Sequence, residues 1–121
     1  MKFKDFCEHL YLSFVDDRYI VEMTNLRQKN TGLHPVIHVM SKGGSKHGPR
    51  VKVSNIAGTF AHNDNFSITT ESRVIGKSKL HPSHLDDIKD WVQLNKEHIH
   101  NVWHNGDIME PDDVINGFKK V

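Results

Sequence analysis

Histidine is the residue type whose abundance first invites a chemical reading, with ten in a chain of 121 residues. His100 and His104 are four apart, so a helix would place both on one face, and His34 and His38 would share one face of a strand. Two imidazoles at such spacing can begin a zinc-type site. His100, His104 and Asp107 are then the candidate ligands, three nitrogen and oxygen donors that leave a position for water and metal-assisted hydrolysis. The Glu that completes the zinc-protease motif is missing from the helical pair, and Val102 and Trp103 between the two histidines read as core. The ordinary reading of these histidines, at the surface or the core edge, is therefore preferred, and no metal or other cofactor is expected.

Nucleophilic chemistry has less support. Cys7 is the single cysteine and falls on an apolar stripe with Phe3, Phe6, Leu10 and Phe14, where a buried thiol is the common outcome and no cation is at hand to form a thiolate. Lys42-Gly-Gly-Ser-Lys46 has glycines and lysines but not the spacing of a phosphate-binding loop, nor the helix that must follow one. No catalytic residue is assigned.

The strongest signal is the distribution of charge. No Asp or Glu occurs between Glu22 and Asp64, while that interval holds Arg27, Lys29, Lys42, Lys46, Arg50 and Lys52. The interval carries +6, so with a net charge of +1 the remainder carries −5. Such segregation can steer an anionic partner. Lys42, Lys46, His47, Arg50 and Lys52 form the candidate partner-binding set, each able to neutralise a phosphate or meet a carboxylate. The expected partner is an acidic protein surface or a nucleic-acid backbone. No Phe, Trp or Tyr lies in 41–59, so base stacking on single strands is not indicated.

These residues need elements to hold them. The stripe at Phe3, Phe6, Cys7, Leu10 and Phe14 predicts a helix over 2–15, and alternation at Tyr19, Val21 and Met23 predicts a strand over 18–24. A polar loop is expected at 25–33. Val36–Met40 and Val51–Val53 read as two strands joined through a tip, Ser41 to Pro49, that holds three glycines and a proline. Phe66–Thr70 and Val74–Ile75 suggest further strands. Leu85, Ile88, Trp91, Val92, Ile99, Val102 and Trp103 mark one face of a long helix from Pro82 to His104, stopped by Asn105-Gly106, with a short helix from Pro111 to Phe118 after it. The expected fold is a single α+β domain over 1–121, a small antiparallel sheet packed with an N-terminal helix and a long C-terminal helix. A lone cysteine, no signal-peptide pattern and no run of some eighteen apolar residues point to the cytoplasm and away from membranes.

Three segments, His34-Pro-Val-Ile-His-Val39, Arg50-Val-Lys-Val53 and Asp87 to Trp103, together resemble the bacterial domain-of-unknown-function family 4160. The order of Pro and His at 34–38 departs from that family's pattern, and the loops 41–49 and 54–65 are longer. The resemblance implies a His-bearing strand, a following strand and a C-terminal helix ending near a Trp. Similar proteins are often encoded beside small partners in arrangements that look like toxin–antitoxin modules, which implies a protein-binding or regulatory role and supplies no catalytic residue. The leading functional expectation is a non-enzymatic binding module, such as a phage or mobile-element inhibitor of a host nuclease. The alternative is a small histidine-based metal-dependent hydrolase or nuclease.

Overall fold

A computed structural model describes residues 21–42 and 48–121, with side chains from residue 25 onward. The predicted helix over 2–15, with Cys7, and the tip residues Lys46 and His47 lie outside the described residues. The rest is an α+β fold. Five strands, β1 (Val21–Leu26), β2 (Ile37–Ser41), β3 (Arg50–Ser54), β4 (Asn65–Thr69) and β5 (Val74–Ile75), form one antiparallel sheet in chain order. One-turn helix α1 (Gln28–Thr31) follows β1, and α2 (Pro82–Leu94), α3 (Lys96–Asn105), a 3-10 turn (Gly106–Ile108) and α4 (Pro111–Asn116) follow the sheet. No helix among the described residues is long and apolar enough to cross a membrane.

Alternation along the strands sends Leu26, Ile37, Val39, Val51, Val53, Phe66 and Ile68 into one core with Ile88, Trp91, Val92, Ile99 and Val102 of the helices. Register locks this in. Ile37 lies opposite Val53, and Val53 in turn lies opposite Phe66, so a slip of one residue would turn every apolar side chain outward. The other sheet face carries His38, Lys52 and Ser67 in line across three strands. Loop 55–64 folds over part of that face and stacks Phe60 on His38, with ring centroids 4.6 Å apart. The Ser54 hydroxyl holds this loop by accepting hydrogen bonds from the Ile56 and Ala61 amides, both at 3.1 Å.

The long helix read from Pro82 to His104 is two helices. Apolar periodicity continues across residue 95, which is why the sequence reads as unbroken, but Asn95 is buried and uses its side chain against the backbone. Its amide group donates to the Trp91 carbonyl at 3.0 Å and the Lys119 carbonyl at 3.1 Å, and its oxygen accepts from the Lys119 amide at 2.7 Å. An Asn that bonds nearby main chain competes with helical geometry, and the turn between α2 and α3 results. The two bonds to Lys119 tie down the C-terminal segment, where Phe118 stacks on Trp91 at 5.3 Å and His98 hydrogen-bonds the Val114 carbonyl at 2.8 Å. Gly117 leaves room for that imidazole, because a Cβ there would lie 2.0 Å from it. Two smaller readings also shift: the segment expected as a loop at 25–33 includes the end of β1 and all of α1, and α2 is capped by His81, whose Nδ1 accepts from the Ser83 amide at 3.1 Å.

Trp91 is fully buried in the core and stacks on Phe118, so Trp91→Ala should cost about 3–5 kcal/mol in chemical denaturation. Its indole nitrogen has no hydrogen-bond partner among the described residues. Trp91→Phe removes that group and keeps most of the packing, so its loss should be smaller, on the order of 1–2 kcal/mol; equal losses for the two variants would contradict this placement.

Asp64 closes loop 55–64 onto the segment after β5, accepting from Lys79 Nζ at 2.9 Å and from the Asn55 amide at 3.0 Å. The Lys79 bond, aided by Asn55, holds the Asp64 carboxyl below its ordinary range. A depressed folded-state pKa adds stability that is present above the ordinary carboxylate value and disappears as pH falls through the folded value. Asp64→Asn should therefore flatten the acid side of the melting temperature against pH, and an unchanged acid limb would refute the coupling.

Candidate binding surface at the root of the β2–β3 hairpin

The hairpin stands on helix α3. At the end of β2 the Lys42 amide donates to the main-chain carbonyl of Trp103 at 2.7 Å, and the Ser41 hydroxyl lies 3.5 Å from the same oxygen. On the returning strand the Arg50 guanidinium lies over the Trp103 ring, 5.1 Å from its centroid, and donates from Nη1 to the Gly48 carbonyl at 3.2 Å. One tryptophan thus holds both legs, through its carbonyl and through its indole. A helix carbonyl near the C-terminal end is open to such a donor because it lacks a full set of intrahelical partners.

This arrangement corrects the reading of Arg50. The sequence places it among the cations of a solvated tip, but it is only 6% exposed. An alkyl stem can cover apolar surface, and a planar guanidinium stacks well on an aromatic face, so Arg50 serves the fold here. Lys42 is exposed, and Lys52 is half-buried on the sheet face opposite His38. The accessible part of the described cation set therefore centres on Lys42.

A second group of sequence candidates lies beside this root. The Thr70 amide donates to the Pro49 carbonyl at 3.4 Å, and His100 Nε2 is 3.1 Å from the Thr70 hydroxyl. That hydroxyl in turn donates to Glu71 at 3.1 Å. Gln93 clamps the same turn, donating to the Thr70 carbonyl at 2.9 Å and to the Ser72 hydroxyl at 2.8 Å. Ser72 has φ of 64°, a left-handed conformation costly for a residue with a Cβ, and the Gln93 contacts help to hold it. The arrangement resembles a nucleophile beside a base only in its residue types: Thr70 is fully buried and its proton points to Glu71, so no substrate can reach it.

The described histidines meet in pairs of rings, not around one centre. The rings of His100 and His104 are 6.2 Å apart on α3, while Asp107 lies exposed in the following 3-10 turn. Among the described residues, no three His, Cys, Asp or Glu side chains come together to hold a metal ion. The set His100, His104 and Asp107 is not assembled into a ligand sphere. His34 and His38 also part company, because His34 precedes β2. It stacks near His84 at 5.9 Å, beside a groove of about 220 Å³ that Pro35, Asp87 and Asp90 help to line. His38 sits within β2, hydrogen-bonds Asn25 through Nδ1 and stacks on Phe60.

Sequence reasoning treated Trp103 only as a core residue. Alternation in Arg50-Val-Lys-Val53 assigns Arg50 to the face away from the core, and its partner lies 53 positions away, so no local pattern announces the contact. No family model, no curated protein and no solved structure matches this chain.

The two cations should behave differently on substitution. Arg50→Ala removes a desolvated cation–π contact and a packed stem, and should lower stability by about 2 kcal/mol. Lys42→Ala should leave it within about 0.5 kcal/mol of the parent, as for other exposed sites. Equal thermal shifts for the two variants would show that Arg50 is not held as described.

Proposed function

We propose that the chain is a non-enzymatic binding module whose β2–β3 hairpin engages an anionic partner, a nucleic-acid backbone or an acidic protein surface. The observation that carries this reading is the absence of Asp and Glu between Glu22 and Asp64, an interval that spans the whole hairpin. Two features support it. Trp103 anchors both legs of the hairpin, so the Lys42 backbone leaves the sheet from a fixed point, and less ordering entropy opposes binding there. Every Phe and Trp among the described residues is buried, which favours charge over base stacking as the mode of contact.

Lys42, with Lys46 and His47 of the tip, is the contacting group in this reading. Lys52 lies on the adjoining sheet face, and Arg50 positions the leg from which the tip departs. An inhibitor of a nuclease carried by a phage or mobile element belongs to this class, as does a component of a toxin–antitoxin-type module. A lone cysteine suits a cytoplasmic setting. No observation favours the histidine-based hydrolase over this reading.

Fluorescence anisotropy with two labelled probes, a DNA duplex and poly-glutamate, tests the proposal. The native chain should bind at least one of them, with affinity that falls as salt rises from about 50 to 200 mM. If DNA is the better probe, Lys42→Ala with Lys46→Ala should reduce the slope of log K against log salt by about 1.8, or about 0.9 for each phosphate contact removed. If poly-glutamate is preferred, the double variant should weaken binding with a shallower salt response. Failure of both probes to bind, or unchanged affinity in the double variant, would place the binding surface elsewhere.

A further inference from the structure

Residues 118–121 lie on the fold as a bound peptide would. Phe118 is buried, but the side chains of Lys119, Lys120 and Val121 are exposed, so one anchor and the main chain hold the whole segment. The Lys119 main chain is gripped on both sides. Its N–H donates to Asn95 Oδ1 at 2.7 Å and its carbonyl accepts from Asn95 Nδ2 at 3.1 Å, while the Val121 amide donates to the Thr31 carbonyl at 2.9 Å. Bonds of this kind recognise an extended backbone whatever side chains it carries, and leave specificity to the pocket that takes the anchor.

The receiving surface is held by contacts of its own. Asn95 is buried and also donates to the Trp91 carbonyl at 3.0 Å, which fixes its side chain independently of Lys119. Trp91 is fully buried, and His98 is oriented by its bond to the Val114 carbonyl. Between these two rings sits Phe118, stacked on Trp91 at an interplanar angle of 17° and edge-on to His98 at 81°, with its centroid 4.5 Å from the imidazole. One stacked and one edge-on neighbour favour an aromatic anchor over an aliphatic one. Thr31 ends α1, where a helix leaves its carbonyls open to an outside donor. A surface set in advance lowers the ordering cost of binding.

We propose that the trough formed by Trp91, Asn95, His98 and Thr31 is a peptide-recognition site, filled in cis by residues 118–121, which takes an extended, aromatic-led segment of a partner protein when the cis segment lifts away. The same segment of a second copy is a poorer occupant. Each contact that it made in trans would be lost in cis, whereas a partner segment can add contacts beyond these four residues. The cis segment is then a built-in competitor, since apparent affinity falls with the fraction of sites left open. No residue of the trough belongs to the hairpin set.

Fluorescence anisotropy of a labelled peptide of residues 115–121, titrated with the whole chain, tests the proposal. The native chain should bind it weakly, because the cis segment competes. Phe118→Ala removes the cis anchor and should tighten peptide binding by about 10-fold or more. Lys119→Pro deletes only the N–H that Asn95 accepts, at an exposed position, and should tighten it as well. Circular dichroism verifies folding, and Lys119→Pro decides the matter if Phe118→Ala does not fold. Toward the opened chain, a peptide with Ala in place of Phe, or one N-methylated at the Lys119 amide, should bind about 10-fold more weakly or worse. Equal peptide affinity for the native chain and the folded variants, or indifference to both the ring and the N–H, would overturn the inference. So would a native dimer in sedimentation velocity that Lys119→Pro abolishes, because the trough would then belong to a second copy.

Discussion

The contact between Trp103 and the two legs of the β2–β3 hairpin is the constraint on which the rest of this molecule's surface depends. The Trp103 carbonyl takes the Lys42 amide, and its indole takes the Arg50 guanidinium, so the two strands are fixed where the tip begins. One cation is withdrawn from solvent to do this and another is left at the surface. Formal charge in a sequence therefore overstates the charge available to a partner, and the Trp103 ring is one of the contacts that make the difference.

Trp103 can serve in this way only because α3 holds its position against the sheet. That position follows from the turn at Asn95, whose side chain binds main chain on both sides and joins the helix pair to the C-terminal segment. Phe118 on Trp91 and His98 on Val114 complete the connection. The core and the hairpin root thus share helices: Val102 faces the core, and Trp103 beside it faces the hairpin. A perturbation of the Asn95 junction should be felt at the basic end through rigid packing rather than through any contact with the tip.

Much of the fold was legible from short-range pattern. Val51 and Val53 alternate with Arg50 and Lys52 as a half-buried strand must, and Ile88, Trp91, Val92, Ile99 and Val102 keep helical spacing and all lie in the core. The break at residue 95 was hidden because it arises from bonds to Lys119, 24 residues on, while the apolar period runs through it undisturbed. The candidate site was legible as a charged segment but not as a surface. Little near Arg50 in sequence distinguishes it from Lys42, yet Arg50 is buried beside the distant Trp103 and Lys42 is exposed. The histidine pairs illustrate the same limit, since four-residue spacing gave His34 and His38 a common strand face that the start of β2 at Ile37 does not provide.

The central claim is that Arg50 and Trp103 act as one unit at the hairpin root, and a double-mutant cycle in chemical denaturation measures this most directly. Arg50→Ala, Trp103→Ala and the combined variant, compared with the native chain, isolate the pairwise energy from the separate costs of lost packing. Stacking of a desolvated guanidinium on indole predicts that the double variant loses about 1–2 kcal/mol less than the sum of the single losses. Losses that simply add would mean that the two side chains are energetically independent, and the hairpin would then need another anchor.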